Sequence, residues 1–299
     1  MAAQHPVGDL LRRAQRVHTA RWTREFCGEL TGPQYAVLSV LTGTPRLGQR
    51  AAGELASLDR SSAADVMARL QRNGWVSRTR DDADGRQIRL ALTAAARAAL
   101  PGVTARVRLV QEALLDPLPP RARGPFLAAL AAVAYAGDPP PPSDSGATGA
   151  AGAALALPLP AAPGHLIRRA EQLHRAHWNA RVGTVLTPAQ YRLLDCLSRH
   201  PEMDQSTAGE ACSLDRATTV EIVARLARRD LIVVERDPAD RRRRLPGPTD
   251  RARELLASVT PAAERLEQDL LRPLGLAAAG AFVAALRRLV DATAAHAAQ

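Results

Sequence analysis

Lysine is missing from this chain, so arginine supplies all 40 of its basic side chains. They outnumber the 30 acidic side chains and give a formal net charge of +10. A basic protein favours polyanionic partners, and the planar arginine fork can donate two hydrogen bonds to one phosphate. Nucleic acid is therefore the first expectation for a partner, ahead of an anionic membrane surface.

Cysteines, long apolar runs and catalytic patterns are also scarce. Cys27, Cys196 and Cys212 form no close pair in the sequence, which argues against a disulfide framework and a zinc site. No uninterrupted apolar run reaches the roughly 18 residues that span a bilayer, and the start lacks a secretory apolar core. No nucleophile–base pair, phosphate-binding glycine loop or metal-ligand spacing stands out. We therefore expect a cytoplasmic protein that is not an enzyme, with no catalytic residue, cofactor, metal or membrane partner.

Aromatic residues are few, with three Trp, three Tyr and three Phe, yet most of them recur at one fixed offset. The offset is 178 − 22 = 156, and it pairs Trp22 with Trp178, Tyr35 with Tyr191, and Phe126 with Phe282. This periodicity predicts two copies of one domain. We place copy one at residues 1–136 and copy two at 165–299, joined by a linker rich in Pro, Gly and Ala at 137–164.

Copy one contains the pattern of a helix-turn-helix followed by a β-hairpin. Apolar spacing, capping residues and glycines predict helices at 7–27, 33–41, 49–57 and 59–74, strands at 75–80 and 86–92, and two further helices to residue 135. Two short helices joined by a tight turn are typical of DNA-binding units. The predicted fold class is mainly α with small β-hairpin wings, as tandem winged helix-turn-helix domains packed as an intramolecular pseudo-dimer.

The hairpin tip carries the segment "RDDADGRQIRLALT" at 80–93, and copy two has "RDPADRRRRLPGPT" at 236–249. A charged hairpin tip beside a recognition helix can reach the DNA backbone or the minor groove, where the potential favours arginine. On this interpretation Arg86 contacts DNA, and Asp81 or Asp84 accepts hydrogen bonds from the turn and orients it. The alternative is an acidic turn solvated by water.

The segments "LDRSSAADVMARLQRNGWVSRTRDDADGRQIRLALT" and "LDRATTVEIVARLARRDLIVVERDPADRRRRLPGPT" resemble the multiple-antibiotic-resistance regulator (MarR) family of winged helix-turn-helix repressors. The resemblance covers nearly all of both copies. It implies dimers held by the first and last helices, a palindromic DNA site, and release of DNA on binding small aromatic or phenolic ligands.

The resemblance also assigns residues by position. The predicted wing residues are Asp81, Asp84 and Arg86 in copy one, and Asp237, Asp240, Arg242 and Arg243 in copy two. The predicted recognition-helix residues are Arg60, Ser61, Ser62 and Asp65 in copy one, and Arg216, Ala217, Thr218, Thr219 and Glu221 in copy two.

The acidic residues Asp65 and Glu221 stand where many family members have arginine. A carboxylate there can accept a hydrogen bond from a cytosine amino group, or it can pair with Arg69 or Arg225 four residues on. The intrahelical pair is the preferred interpretation, which leaves open whether these positions read bases.

The second wing differs from the first, because it contains four consecutive arginines at 241–244 and then Pro246 and Pro248. Proline cannot donate to a strand ladder, so this strand is predicted to be short or to lie on an edge. The arginines predict stronger nonspecific phosphate binding by copy two. The alternative is that they accumulated on a solvated loop.

His18, Trp22 and Tyr35, with their counterparts His174, Trp178 and Tyr191, form a candidate aromatic ligand site in each copy. An anionic aromatic ligand is one option. The alternative is that these residues are ordinary core, since aromatic residues at helical spacing usually pack inward. The cysteines could instead make the protein a redox sensor, but they are not matched between copies, so spectator thiols are preferred.

These observations together predict a sequence-specific regulator of transcription. We expect a repressor that binds double-stranded DNA and is released by a small aromatic or phenolic ligand. The alternative is a protein that sequesters a small molecule on a winged-helix scaffold with weak DNA binding. The copies are expected to pair within one chain, although the linker also permits two chains to exchange copies.

Overall fold

The computed structural model describes residues 6–80, 88–136, 155–183, 185–237, 240 and 243–297. The chain divides into two compact units. Unit 1 comprises residues 1–172 together with 271–299, and unit 2 comprises residues 173–270. These units do not coincide with the two repeats, because the start of copy two and its last helix belong to unit 1.

The elements of copy one follow the predicted order. They are α1 (Val7–Phe26), α2 (Gly32–Gly43), β1 (Leu47–Gly48), α3 (Gln49–Leu55), α4 (Arg60–Arg72), β2 (Val76–Arg80), β3 (Ile88–Leu92), α5 (Ala94–Leu115) and α6 (Pro120–Ala134). Helices begin where the sequence supplies caps. Thr31 and Gln34 form a reciprocal capping box at α2, and Asp59 and Thr93 each accept a backbone N–H at α4 and α5.

Copy two repeats this order. Its elements are α7 (Pro163–Arg181), α8 (Pro188–Arg199), α9 (Gln205–Ala211), α10 (Arg216–Ala227), β4 (Ile232–Arg236), β5 (Arg244–Pro248), α11 (Asp250–Leu271) and α12 (Gly275–Ala297). α7 begins in unit 1 and ends in unit 2, while α12 belongs to unit 1. The predicted mainly helical fold with small antiparallel hairpins is confirmed.

One helical stretch in the described part of the chain, 250–292, is long and apolar enough to cross a membrane by length and composition alone. The sequence predicted no apolar run of this length, and the stretch 250–292 is an exception to that prediction. Core helices can meet the same criteria, and α12 buries Phe282, Leu286 and Leu289 in unit 1. The stretch therefore carries no membrane assignment.

The two sheets differ because of one proline. In copy one β1 joins the outer edge of β3, with Leu47 opposite Leu90, so the strand order is β1-β3-β2. The residue equivalent to Leu90 is Pro246, and the sheet described in copy two has only β4 and β5. Proline lacks the N–H that a strand on that outer edge would need.

The prolines leave β5 at its full length, so of the two predicted outcomes, a short strand or an edge position, the structure shows the edge position. β5 pairs with β4 over five residues, the same length as β3, although it does lie on an edge. The carbonyl of Arg243 and the N–H of Thr249 bond toward β4. Alternate residues face the same way in a strand, so Pro246 and Pro248 turn their missing N–H groups away from β4.

The end of the predicted linker is part of the core of copy one. Residues 155–162 pack against α2 and α5, with Ala156 and Leu159 buried among the side chains of that core. The sequence predicted a flexible tether here, because small residues and prolines dominate the segment. Its apolar side chains instead bind it to copy one.

Hydrogen bonds fasten the same segment. The N–H of Leu157 donates to the hydroxyl of Tyr35 over 2.8 Å, and the hydroxyl of Thr104 donates to the carbonyl of Leu155 over 2.7 Å. Tyr35 and Thr104 are also hydrogen-bonded to each other over 3.1 Å. Since Thr104 donates to Leu155, the Tyr35 hydroxyl is the donor in that pair.

The last helices of the two copies meet within unit 1. α12 packs against α1 and α6, and the rings of Phe126 and Phe282 stack with centroids 5.7 Å apart. These two residues are equivalent in the repeat. A residue that contacts its own equivalent lies on a pseudo-twofold axis, as at the interface of a symmetric dimer.

Each helix-turn-helix depends on a glycine that permits close helix packing. A Cβ on Gly209 of α9 would lie 2.4 Å from the Thr219 hydroxyl oxygen of α10, and a Cβ on Gly53 would lie 2.8 Å from Ala63. We expect Gly209→Ala to lower the free energy of unfolding of unit 2 by about 1–3 kcal/mol through overpacking. Urea denaturation measures this.

Gly280→Ala in α12 is the matched control, because a Cβ there meets nothing within 4 Å. Alanine at that helical position is expected to stabilise by up to about 1 kcal/mol, since it orders the helix at no steric cost. Equal effects of the two substitutions would contradict the packing role of Gly209.

Candidate nucleic-acid interface and ligand cavity

The recognition helix of copy one, α4, opens with a network around Asp59. The Asp59 carboxylate accepts hydrogen bonds from the hydroxyl and N–H of Ser62 and from the hydroxyl of Ser61, over 2.7–2.9 Å. These bonds, with those from Ser62 first, hold the pKa of Asp59 well below its usual value. Both serine hydroxyls therefore donate to the cap, and Arg60 is exposed at the first position of the helix.

A similar cap opens the recognition helix of copy two. Asp215 caps α10 by accepting from the N–H and hydroxyl of Thr218 over 2.8 and 2.9 Å. Thr219 is 3% exposed and donates its hydroxyl to the Asp215 carbonyl over 2.8 Å, while its contact with DNA stays a prediction. Arg216 and Ala217 are exposed at the start of the helix.

Each recognition helix also exposes a small apolar residue that sequence reasoning missed. Val220 is 45% exposed on α10, although valine usually packs inward, and its equivalent Ala64 is exposed on α4. An apolar side chain on a recognition helix suits the methyl group of thymine. Unusual exposure is the signal that identifies it, and exposure requires a structure.

The acidic positions behave differently in the two copies. Glu221 forms an ion pair with Arg225, which confirms the intrahelical interpretation in copy two. Asp65 is exposed, and within the described residues it makes no ion pair with Arg69. The carboxylate of Asp65 thus faces solvent on the surface that α4 presents.

The second wing is less positive than its four arginines suggested. Arg243 donates to Asp204 and to Asp237, each over 3.0 Å, so both carboxylates neutralise one guanidinium. The N–H of Arg243 donates to the carbonyl of Asp240. Asp204 also caps α9, and the N–H of Thr207, followed by Arg243, lowers the pKa of Asp204.

These contacts refine the predicted wing roles. Asp237 pairs with Arg243 through its carboxylate, and Asp240 accepts the Arg243 N–H through its backbone carbonyl. The wing-structuring role of both aspartates and the DNA contact of Arg243 stay predictions. Four predicted wing residues lie outside the described residues. They are Asp81, Asp84, Arg86 and Arg242.

A cavity of about 180 Å³ lies in unit 1 beside α1 and the start of α7. Three of the predicted ligand residues line it together with three residues that were not predicted. The six are His18, Trp22, Tyr35, Gln111, His165 and Arg168. The Trp22 indole N–H already donates to the Leu30 carbonyl over 2.6 Å, and Tyr35 is engaged as described above, so these two rings offer apolar surface.

The hydrogen bonds around His18 fix its tautomer. The N–H of Gly164 donates to Gln111 Oε1 over 2.8 Å, so the Gln111 amide nitrogen donates to His18 Nε2 over 3.2 Å. The His18 proton therefore resides on Nδ1, which is buried and has no hydrogen-bond partner. Burial, followed by the charge of Arg168, lowers the pKa of His18 to about 4.

His165 presents a second donor without an acceptor. Arg168 donates to His165 Nδ1 over 3.0 Å, so the proton of this imidazole resides on Nε2, which is buried and unpaired. Burial, followed by Arg168, holds the pKa of His165 well below its usual value. Both imidazoles are neutral hydrogen-bond donors at the cavity.

Arg168 is a buried cation without an acidic partner among the described residues. Its guanidinium donates to the carbonyls of Ala56 and Ser57, each over 2.8 Å. Burial lowers the pKa of Arg168 to about 10, so it stays charged at neutral pH. The sequence did not predict Arg168 as a cavity residue, because it follows the linker and is distant in sequence from α1. The two segments meet only in the folded chain.

The second trio of predicted ligand residues is also brought together, in unit 2. Trp178 and Tyr191 have ring centroids 5.3 Å apart, and the Trp178 N–H donates to the Leu186 carbonyl. His174 Nε2 lies 3.2 Å from a carboxylate oxygen of Glu267. Glu267 occupies the position equivalent to Gln111, so the imidazole of copy two has an acidic neighbour where that of copy one has an amide.

The low pKa of His18 predicts that the protein loses stability in mild acid. An unfolded chain binds a proton at this residue below about pH 6.5, whereas the folded chain does not until about pH 4. The contribution of His18 is therefore complete above pH 6.5 and declines as the pH falls toward 4, by roughly 3 kcal/mol in all. The free energy of unfolding in urea, measured from pH 7.5 to 4.5, checks this.

His18→Gln is expected to flatten this pH dependence, whatever it does to stability at pH 7.5. His200→Gln, at a half-exposed position in unit 2, is the control and should leave the slope unchanged. The same slope in wild type and His18→Gln would contradict a neutral, buried His18.

Two of the three cysteines meet in space although they are distant in the sequence. Cys212 is buried and donates its thiol proton to the Arg192 carbonyl over 3.6 Å. Its proximity lowers the pKa of Cys196 to about 7. Cys196 and Cys212 are therefore neighbours in the structure, although they are not close in the sequence. Cys27 is exposed. Among the described residues no cluster of three or more His, Cys, Asp or Glu side chains could hold a metal ion.

Comparison with known proteins gives consistent matches. The sequence model of the MarR family matches residues 29–87 and 186–243, once in each copy. The chain is 30% identical to the transcriptional regulator HosA of Escherichia coli O111:H- over 128 residues, which is 43% of this chain and 94% of HosA. It is 31% identical to the HTH-type transcriptional repressor NicR of Pseudomonas putida KT2440 over 129 residues, 43% of this chain and 82% of NicR.

Among solved structures, the PcaV transcriptional regulator of Streptomyces coelicolor, in complex with its natural ligand, is 39% identical to this chain. The match covers 46% of this chain and 98% of PcaV, with a TM-score of 0.45. Each of these matches accounts for about one copy.

Proposed function

Because the chain belongs to the MarR family of transcriptional regulators, we propose that it is a DNA-binding repressor whose ligand is an anionic aromatic molecule. DNA is bound by α4 and α10 with their wings. The ligand occupies the cavity of unit 1 and weakens DNA binding. The observation that carries the ligand class is the set of unpaired donors and the buried cation in that cavity.

The exposed starts of the two recognition helices support the DNA interface. Arg60 and Arg216 are exposed at the first position of α4 and α10, where side chains reach base edges or phosphates. Ala64 and Val220 follow one turn later with small apolar surfaces suited to thymine. The hydrogen bonds of Ser61 and Ser62 to Asp59 order the start of α4, and the Glu221–Arg225 ion pair orders α10. We assign these residues to helix stability rather than to base contacts.

The chemistry of the cavity supports a carboxylate or similar anion. His18 Nδ1–H and His165 Nε2–H are buried donors without acceptors, and Arg168 is a buried cation without a carboxylate. Unpaired buried donors and charges are costly, and an anionic ligand would satisfy all three groups together. The rings of Trp22 and Tyr35 then offer apolar surface to an aromatic body.

Arg168 supplies a physical link between the cavity and the helix-turn-helix of copy one. It holds the carbonyls of Ala56 and Ser57, which lead into the turn before Asp59 and α4. An anion in the cavity competes for the same guanidinium, because charge-assisted bonds are stronger than bonds to neutral carbonyls. Ligand binding would thus loosen the turn that positions α4.

The cavity of unit 1 is expected to be the ligand site of the chain. His174 of copy two has a carboxylate beside it, which repels an anion. We therefore expect one aromatic carboxylate per chain, which isothermal titration with a benzoate series measures. Matched neutral amides should bind at least about ten-fold more weakly, because an amide leaves the charge of Arg168 uncompensated.

A mobility-shift titration at low and moderate salt on the region upstream of the protein's own gene tests the DNA function. Arg60→Gln and Arg216→Gln are each expected to weaken binding by about ten-fold, since a lost arginine contact typically costs 1–3 kcal/mol. Arg121→Gln on α6 removes the same charge away from the helix-turn-helix and should have little effect.

The outcome also separates the alternative function. A protein that binds aromatic carboxylates but shows no DNA shift at low salt is a sequestering protein rather than a repressor. Shifts that respond equally to all three arginine substitutions would indicate charge alone and would contradict the assigned interface.

A further inference from the structure

Three sulfur-containing side chains are neighbours in unit 2, where α8 packs beside α9. Cys196 lies on α8, Met203 precedes the Asp204 cap of α9, and Cys212 follows the end of α9. Cys196 Sγ is 3.8 Å from Met203 Sδ. Cys212 donates its thiol proton to the Arg192 carbonyl over 3.6 Å and lies close enough to Cys196 to act on its thiol. Cys212 is buried, while Cys196 and Met203 are half-buried and border the surface.

The equivalent positions in copy one carry only hydrocarbon. The offset of 156 maps Cys196, Met203 and Cys212 to Val40, Leu47 and Ala56, which pack in the core of copy one as their counterparts pack in that of copy two. The chain has three Cys and three Met in total, and three of these six residues meet here. Three neighbouring positions therefore carry sulfur in copy two and hydrocarbon in copy one.

We propose that Cys196, Met203 and Cys212 bind a soft monovalent metal ion of the Cu(I) class as a three-sulfur site. Thiolate and thioether sulfurs are the ligands that select such an ion. Three sulfurs about 2.3 Å from a central ion are roughly 4 Å apart, which is close to the observed Cys196–Met203 spacing.

The surroundings of the three sulfurs favour this ion class over harder ones. Binding releases one proton from each thiol, so one Cu(I) with two thiolates and a thioether carries a net charge of −1. Arg192 lies close enough to both cysteines for its charge to act on them. Zinc, by contrast, prefers four nitrogen, sulfur or carboxylate ligands, and no cluster of that kind occurs in the described residues.

An ion held by all three sulfurs would join α8 to both ends of α9. Met203 is next to Asp204, which caps α9 and also holds Arg243 of the second wing. The site is thus built into the scaffold of the second helix-turn-helix. It is separate from the cavity of unit 1 and uses different residues.

The test is titration of the reduced full-length protein with Cu(I) under anaerobic conditions, against bathocuproine disulfonate as a competing chelator. We expect one tightly bound ion per chain, with ultraviolet absorption from thiolate-to-copper charge transfer. Ag(I), which has no accessible redox change, serves as a second probe and should bind with the same stoichiometry.

The residues of copy one provide substitutions that the fold already accepts. Loss of an outer-shell partner weakens metal sites by about 10–100-fold, so Cys196→Val and Cys212→Ala, which remove direct ligands, should each cost more than about 100-fold. Met203→Leu should cost about ten-fold or more while keeping the charge-transfer band. Cys27→Ala, at the exposed third cysteine, is the control and should leave affinity unchanged.

Three results would overturn the proposal. Retention of full affinity in Met203→Leu would remove the thioether from the site. Equal loss in Cys27→Ala would indicate nonspecific thiol binding. Absence of specific Cu(I) or Ag(I) binding would exclude the site, and a mass decrease of about 2 Da under oxidant, mapped to Cys196 and Cys212, would then identify the pair as a disulfide.

Discussion

Arg168→Gln is expected to lower the affinity for an aromatic carboxylate by about 30-fold or more, because a buried charge partner is lost and such losses cost 2 kcal/mol or more. Glutamine retains hydrogen-bonding capacity but no charge. The ligand-free protein should also bind DNA more weakly, since the carbonyls of Ala56 and Ser57 lose the guanidinium that holds them. Isothermal titration calorimetry and a mobility-shift assay measure the two effects.

The neighbouring Arg169→Gln is the control for charge. Arg169 donates to the Ala134 carbonyl and lies over the Tyr135 ring, but it does not line the cavity. It should lower ligand affinity much less than Arg168→Gln does, because Arg169 is not among the residues that line the cavity. If Arg168→Gln retains wild-type affinity for carboxylates, the cavity does not recognise the anionic group as we describe.

Phe282→Ala is expected to lower the free energy of unfolding of unit 1 by about 3–5 kcal/mol, the usual cost of deleting a buried phenyl ring. Phe282 is 2% exposed and stacks on its repeat equivalent, Phe126. Urea denaturation monitored by circular dichroism gives the value. Phe126→Ala is the matched variant, because it removes the same ring from the other side of the pseudo-twofold axis.

The double variant tests whether the two rings act as a pair. Aromatic pairs couple by about 0.5–1.5 kcal/mol beyond their burial, so the double variant should lose less than the sum of the single variants. Strictly additive costs would show that the stacking contributes nothing of its own.

Light scattering of the wild type should give a mass near 31.9 kDa, since the paired helices belong to one chain. A mass of twice that value would mean that two chains exchange copies.

Much of the fold could be predicted because its signals are local or repeated. Thr31 and Asp59 cap helices that begin within one residue of their predicted starts. The offset that pairs Phe126 with Phe282 identified two copies without any structure. His18 and Trp22 lie on one face of α1 because of their helical spacing, and both line the cavity with Tyr35.

The remaining features depend on contacts between distant segments. Arg168 and His165 follow the linker in sequence, and only the packing of α7 beside α1 makes them cavity residues. Pro246 was recognised as unusual, but its effect is to exclude a third strand rather than to shorten its own. The neutralisation of Arg243 by Asp204 joins positions whose separation in sequence gives no hint of contact.

The division of the chain into units has a consequence for synthesis on the ribosome. Unit 2 is one continuous segment, whereas unit 1 needs residues 1–172 and also the final segment from Leu271. Domains generally fold as they emerge, with the N-terminal part first. Here the segment made first is completed late, because α1 and α6 receive α12 only after residues 275–297 have been synthesised. Until then the nascent protein exposes the apolar face of α1, and any protein truncated before residue 271 retains that exposed surface permanently.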